Sequence, residues 1–326
     1  MIYVDNNSLN PYFNFALEYY LITEKNLPDD QVFIFWRTSP TLMVGKYQNT
    51  LEEINDKYAR ENNIHVVRRI TGGGTIYTDP GSWQFSFITR GKAEQIDFYK
   101  YITPVLDALA KMGVQAEFNS RNDLVIKGKK FSGNAQCTLN GYTLHHGSLL
   151  FDCDLEQMVK CLTVDEYKIV SKGIKSVKER VTNISEHLSQ PMDGLDFKKR
   201  MVESIMQGCE KEYKLTEADI LRIREIAKEK FESWDWNYGQ SPKFNITKVG
   251  RFDGGKMEFR LDVNKGIIEH CSIFGDFFGS IDISVLCNAL VGCKYNRESI
   301  KASLNELVKD NTFYNINFED LLDIIC

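Results

Sequence analysis

The sequence predicts an α/β (α+β) protein, with a large mixed domain followed by a small C-terminal α+β domain, on three observations. Strand-like and helical stretches interleave in the first half of the chain, helical period dominates from about 155 to 236, and strand character returns after "WNYGQSPKFN". Gly239 and Pro242 punctuate that break, so the expected division is 1–240 and 241–326. With 326 residues the chain is long enough for both regions to bury cores.

The elements follow in order. Asn10 can cap a first helix, Pro11 suits its first position, and Phe13, Leu17, Tyr20 and Leu21 share one face. "QVFIFWR" and "TLMVGKYQ" read as a strand pair split by "TSP", and "VVRRI", "TIYT" and "WQFSFIT" extend the β character around a glycine run. Thr103 and Pro104 open a second helix, with Val105, Ala108, Leu109 and Met112 as its stripe and Gly113 as its stop. Further strands are expected in "AEFN", "DLVIKGKKFSGNAQ" and "YTLHHGSLLFD". "LDFKKRMVESIMQGCEKEY" and "EADILRIREIAKEKF" are the clearest later helices. Beyond Pro242, strands joined by glycine turns precede helices around 281–291 and 297–309, the second presenting Ile300, Leu304, Leu307 and Val308 on one face.

Composition narrows the function. Forty Lys and Arg against 45 Asp and Glu leave a net charge of −5, and no basic stripe or helix-turn-helix pattern stands out, so no nucleic-acid partner is expected. The N-terminus "MIYVDNNSLNPYFNFALEYY" lacks the basic and then apolar blocks of a signal peptide, and no apolar run is long enough to span a bilayer. A cytoplasmic location without membrane attachment is expected. The eight cysteines form no CxxC pair and sit mostly in apolar runs, which reads as buried free thiols rather than a zinc site.

The stretch "RRITGGGTIYTDPGS" at 68–82 is the most pointed signal. A glycine run lets main-chain N–H groups converge on an oxyanion, and a neighbouring arginine can share its charge, so phosphate or carboxylate is the first suspect. The plain alternative is a tight turn. No Lys-Ser/Thr pair follows Gly74, which excludes a P-loop, and Tyr77 occupies the last glycine position of a dinucleotide fingerprint. What remains is a β-turn-β element with two arginines on its entering strand.

"RRITGGGTIYTDPG", "RNDLVIKGKKFSGNAQ" with "HHGSLL", and "KGIKSVKERVTNI" occur in that order and resemble the lipoate-protein ligases of the biotin/lipoyl ligase superfamily. "RFDGGKMEF" and "GDFF" look like that family's small C-terminal domain. The resemblance implies a mixed-sheet catalytic domain that uses ATP and Mg²⁺ to convert lipoate into lipoyl-AMP. The lipoyl group then passes to a lysine of an acceptor, either the E2 lipoyl domain of a 2-oxoacid dehydrogenase or a glycine-cleavage H-type protein. The protein is expected to be a monomer.

Residue roles follow from the resemblance. Lys130 is implied as the catalytic cation on the carboxyl and phosphate; taken alone, "KGKK" also fits the solvated tip of a hairpin bearing Lys127, Lys129 and Lys130. Asp123 matches the metal and nucleotide position, with Asn122 assisting, although Asn-Asp is also a common turn pair. Arg69, Thr71, Gly72, Gly73 and Gly74 would line the lipoyl and phosphate side, while Arg68 faces away as a structural residue. Ile76 and Tyr77 would present backbone groups to adenine. His146 is implied near the lipoyl group, the alternative being a satisfied core histidine, and Trp36 and Gly45 would shape the apolar slot. Ser176, Arg180 and Asn183 read as a brace. Thr78 and Ser82 stand where the family usually has His and Asn, so nucleotide contacts there depart from its pattern. Two rivals share the fold: an ATP-independent octanoyl or lipoyl transferase, for which Cys137 is the candidate nucleophile, and a non-catalytic binding paralogue.

Overall fold

In the computed structural model the described residues are 1–25, 27–48, 50–91, 95–119, 122–162, 179–209, 211–238, 246–264, 266–309 and 311–326. The strands of the first half are β1 (Ile2–Val4), β2 (Gln31–Trp36), β3 (Thr41–Val44), β4 (His65–Arg68), β5 (Ile76–Thr78) and β6 (Ser82–Arg90). β7 (Glu117–Phe118), β8 (Asp123–Ile126), β9 (Lys129–Leu139), β10 (Tyr142–Leu150) and β11 (Glu212–Tyr213) follow, and β12 (Ile246–Phe252), β13 (Gly255–Asn264) and β14 (Ile267–Gly275) form the C-terminal set. Among the described residues the central sheet has the order β11-β1-β2-β6-β10-β9-β8-β7, with β3 flanked by β4 and β5 in a small second sheet.

Alternation of side chains gives the central sheet two different faces. Trp83, Phe85 and Phe87 of β6 join Phe33 and Phe35 against helices Tyr99–Lys111 and Gly194–Ile205. On the opposite face Ile34, Trp36 and Ile88 pack under helices Pro11–Thr23 and Glu217–Ile226. Helix Pro11–Thr23 begins as expected, the Asn10 side chain accepting the Phe13 N–H at 3.0 Å, yet it is buried on nearly every side, Glu18 included. Asn140 and Gly141, both at positive φ, make the two-residue turn between β9 and β10.

Five readings of the sequence are corrected. β2 and β3 do not pair with each other: β2 lies between β1 and β6, while β3 runs parallel to β4 and antiparallel to β5. The glycine run therefore crosses over β3 rather than closing a β-turn-β hairpin, because both its flanking strands bond to β3. The second helix starts at Tyr99, not Thr103, and carries Pro104 inside; burial of Tyr101, Ile102 and Val105 offsets the missing N–H. The helix stops at Ile205, before "QGCEKEY", a turn with Gly208 at positive φ follows, and Glu212–Tyr213 adds an edge strand parallel to β1. Also, only Cys153 and Cys161 are fully buried, and Cys326 is exposed.

Strands β12 to β14 form an antiparallel sheet covered by helices Ile283–Leu290, Arg297–Leu304 and Phe318–Ile325 around a core that includes Phe259, Leu286, Leu304 and Leu322. The last helix adds to the two expected from periodicity; it opens with a capping box between Asn317 and Asp320. No described helix is long and apolar enough to cross a membrane.

Candidate functional site

A cavity of about 110 Å³ lies between the central sheet and the crossover of the glycine run. Its floor comes from neighbouring strands in register: Trp36 opposite Gln84 and Gln84 opposite Ser148, with His146 opposite Ser86 in the next row. Met43, Arg69, Gly73, Gly74, Thr75 and Ile76 form the roof, and Asn122, Lys130 and Gly133 form the rim. Phe278, from the C-terminal region, closes an end of the cavity. Trp36 is held by an edge contact with Phe15, ring centroids 5.4 Å apart, and donates its Nε1–H to Ser86 Oγ at 2.9 Å.

Lys130 owes its direction to a bulge. Val125 pairs with Lys130 but Leu124 pairs with Ser132, which leaves Phe131 as an extra residue of β9. In regular alternation Lys130 and Gly133 would face opposite sides. The bulge sends Phe131 into the aromatic core and turns Lys130 to the side of Asp123, where Nζ lies 2.7 Å from Oδ1. A side chain at Gly133 would start 3.4 Å from that Nζ, so glycine leaves room for the ammonium. Of the three lysines only Lys127 and Lys129 are the exposed hairpin tip. The backbone of Lys130 is also braced, its carbonyl accepting the Thr182 N–H at 3.0 Å, while Asn183 clamps Cys153 through bonds of 3.0 and 3.1 Å. Ser176 lies outside the described residues.

Under the roof runs a buried polar chain. Arg69 donates from Nε to Thr71 Oγ1 at 3.1 Å and from its Nη atoms to the carbonyls of Met43, Gly72 and Gly74, each at 2.8 Å. Thr71 Oγ1 meets His146 Nε2 at 2.7 Å, and His146 Nδ1 lies 3.1 Å from Glu18 Oε1. Glu18 also accepts from Ser86. Burial, followed by the neighbouring Arg68, pulls the Arg69 guanidinium down to about 9, still cationic at neutral pH. Arg69 thus shapes the glycine run by gathering its carbonyls. Arg68 faces away, fixed by the carbonyls of Gly45 and Gln48 and by Thr50 Oγ1.

The other expected residues divide between cavity and scaffold. Gly45 is pressed against the run, since a Cβ there would come within 1.8 Å of the Gly73 carbonyl. Gly72 packs beneath the Phe277 carbonyl, outside the cavity, and Gly73, at φ 91°, donates its N–H to that carbonyl at 3.1 Å. Asn122 donates to the Asn134 carbonyl at 3.0 Å, tying the rim to β9. Tyr77 points away into the core around Leu42 and Val44 with its hydroxyl on Gln157. Thr78 is buried and accepts a 2.7 Å bond from Gln84, whereas Ser82 bonds Asp79 at 3.2 Å in the preceding turn. His145 and His146 part company: His145 stacks on Tyr101 at 4.8 Å, and burial, then His146, pushes its ring well below the usual range. Burial raises the Cys137 thiol to about 12, the reverse of what a nucleophile needs.

Sequence reasoning missed Glu18, Gln84, Gly133 and Phe278. Glu18 had a signal, a carboxylate beside Leu17 on a helix otherwise rich in aromatics. Gln84 and Ser86 alternate with aromatics in "WQFSF", a pattern that reads as a wet outer face but is here roofed by the crossover.

Residues 10–206 match the lipoyl protein ligase A/B catalytic domain, and residues 241–325 the bacterial lipoate protein ligase C-terminus. The chain is 44% identical to the lipoate-protein ligase LplJ of Bacillus subtilis and 41% identical to lipoate–protein ligase 1 of Staphylococcus aureus, each over all of both chains. Among solved structures, P. falciparum LipL1 in complex with lipoate superposes with a TM-score of 0.79 at 24% identity, covering 99% of this chain and 97% of that one. Lipoate-protein ligase A bound with ATP gives 0.63 at 23% identity over 73% of this chain and 98% of the other.

Proposed function

Since the chain belongs to the lipoate-protein ligase family and is a ligase that attaches lipoate to protein with ATP, we propose how its residues divide that work. In the first step the lipoate carboxylate attacks the α-phosphate of ATP, forming lipoyl-AMP and releasing pyrophosphate. In the second the amine of an acceptor lysine attacks the acyl carbon, forming an amide and releasing AMP. Both steps crowd negative oxygens at one place, so cations and N–H donors aimed there carry most of the catalysis.

The observation that carries this reading is the direction of Lys130, swung by the bulge onto the rim of an otherwise largely apolar cavity. Its ammonium takes the carboxylate oxygen and the α-phosphate together. Trp36 and Gly45 shape the slot for the acyl chain, with Thr71 and His146 beside it. Arg69 holds the run in shape, Gly73 and Gly74 face the anionic groups, and the Ile76 and Tyr77 backbone lies on the adenine side with Asn122, Thr78 and Ser82 around the nucleotide.

Magnesium prefers oxygen ligands and usually rests on one or two carboxylates plus substrate phosphates. Asp123, a half-shielded carboxylate already paired with Lys130, fits that habit. It would hold the ion, which supplies charge neutralisation at the phosphates. The acceptor is a lipoyl-carrying E2 domain or an H-type protein, the enzyme a cytoplasmic monomer, and the catalytic domain ends at 240 with an accessory domain at 241–326.

Lipoate-dependent exchange of pyrophosphate into ATP, followed by intact mass of an E2 lipoyl domain, tests the scheme. Lys130→Met is expected to lower the exchange rate by roughly a hundredfold or more, the scale of losing one oriented donor to a developing anion. Exchange at the wild-type rate in that variant would remove Lys130 from the reaction.

A further inference from the structure

Gln84 is 3% exposed, on the cavity floor between Trp36 and Ser148. Its Nε2 donates to Thr78 Oγ1 at 2.7 Å, while its Oε1 is buried without a partner among the described residues. The next inward-facing residue of the strand shows the contrast. Ser86 accepts from Trp36 and donates to Glu18, so its hydroxyl has a partner in each role. Nearly all buried polar atoms in folded proteins find a partner, and one left open on a cavity floor points to a ligand. We propose that Gln84, set by Thr78, accepts a hydrogen bond from the nucleotide and makes it a recognition residue for ATP. The inference rests on the ligase reading given above.

The chemistry of the two substrates selects the nucleotide. Lipoate's ionised carboxylate and the phosphates of ATP offer only acceptors, which a carbonyl oxygen repels, and the acyl chain and dithiolane carry no donor. In the adenylation step the donors are the adenine 6-amino group and the ribose hydroxyls, the acceptor lysine arriving only in the second step. The anchor of Gln84 agrees, because Thr78 ends the strand whose start, Ile76, lines the same cavity. Thr78 thus acquires a role that a histidine at that position would fill differently: a short hydroxyl that orients a carboxamide.

The full-length enzyme is assayed by lipoate-dependent ATP–pyrophosphate exchange with Gln84→Met, which keeps bulk and loses the amide, and with Thr78→Val, which loses only the anchor. Gln84→Met is expected to raise the KM for ATP tenfold or more, with the lipoate KM and kcat moving less than twofold, and Thr78→Val to shift the ATP KM the same way by a smaller factor. Inosine triphosphate, 2′-deoxy-ATP and 3′-deoxy-ATP identify the donor: the penalty of the analogue lacking it disappears in the variant. An unchanged ATP KM in an active Gln84→Met enzyme overturns the proposal. So does a rise confined to the lipoate KM, or a defect confined to transfer onto the acceptor lysine. Absence of exchange in the wild type would strike the ligase reading instead. Should Gln84→Met fail to fold by thermal melting, Thr78→Val with the analogue series decides.

Discussion

Glu18 sits fully buried on the first helix, answered by His146 and Ser86 and, through Thr71, by the Arg69 guanidinium. A buried polar chain of this kind is stabilising only while every member keeps its partner. Glu18→Ala leaves His146 Nδ1 and the Ser86 hydroxyl without acceptors and is expected to lower stability by about 1–3 kcal/mol in urea unfolding. The same variant frees the Trp36 side of the floor and should raise the KM for lipoate. At this scale Lys130 and Asp123 were singled out by the family resemblance, since "KGKK" alone also fits a solvated hairpin tip and Asn-Asp a turn, and the fold brings the two side chains together. The sequence was not legible where a residue matters through what it leaves out: Gly133 is silent until the bulge brings an ammonium against it.

Periodicity located most strands and the clearest helices, since alternation and the 3.6-residue repeat are local properties. Pairing is not local, which is why β2 and β3 read as partners although they serve different sheets. Helix Glu217–Ile226 shows how an element is tied in place. Its Asp219 closes a capping box with Thr216 and accepts from Tyr20 at 2.6 Å, Tyr213 at 2.6 Å and Lys25 at 2.9 Å, joining this helix to the first one. Burial alone would raise the carboxyl, but the bonds from Tyr20, Tyr213, Lys25 and Thr216 outweigh it and hold Asp219 well below the usual range. A depressed folded-state value means the stabilisation is complete above the unfolded carboxyl value near 4 and drains away as pH falls toward the folded value. Thermal melts from pH 6 to pH 2 should therefore show a steeper acid loss for the wild type than for Asp219→Asn, and the variant should melt lower at pH 6.

The N- and C-terminal regions of the molecule meet on the glycine run. Phe277 stacks on Tyr47 with ring centroids 4.8 Å apart, Phe278 crosses Phe98 at 5.4 Å, and Lys46 pairs with Asp282 at 3.0 Å. Of these the half-exposed ion pair contributes least. A methyl group at Gly72 would come within 2.4 Å of the Phe277 carbonyl, a backbone atom that cannot simply turn aside. Gly72→Ala is expected to loosen this seam, read as faster hydrogen–deuterium exchange at 276–279 while the melting of the central sheet core changes little. The sequence marked the run as a place of close approach; that an approaching group is the chain's own C-terminal region could not be seen without the fold.

The amide hydrogen of Gly73 already has a destination, the main-chain oxygen of Phe277. One N–H makes one strong bond at a time, so on the proposed reading a phosphate that takes this hydrogen displaces the Phe277 carbonyl from it. Isotope exchange at this single peptide would distinguish the two occupants: slow whenever either is seated, quick only in the interval between them.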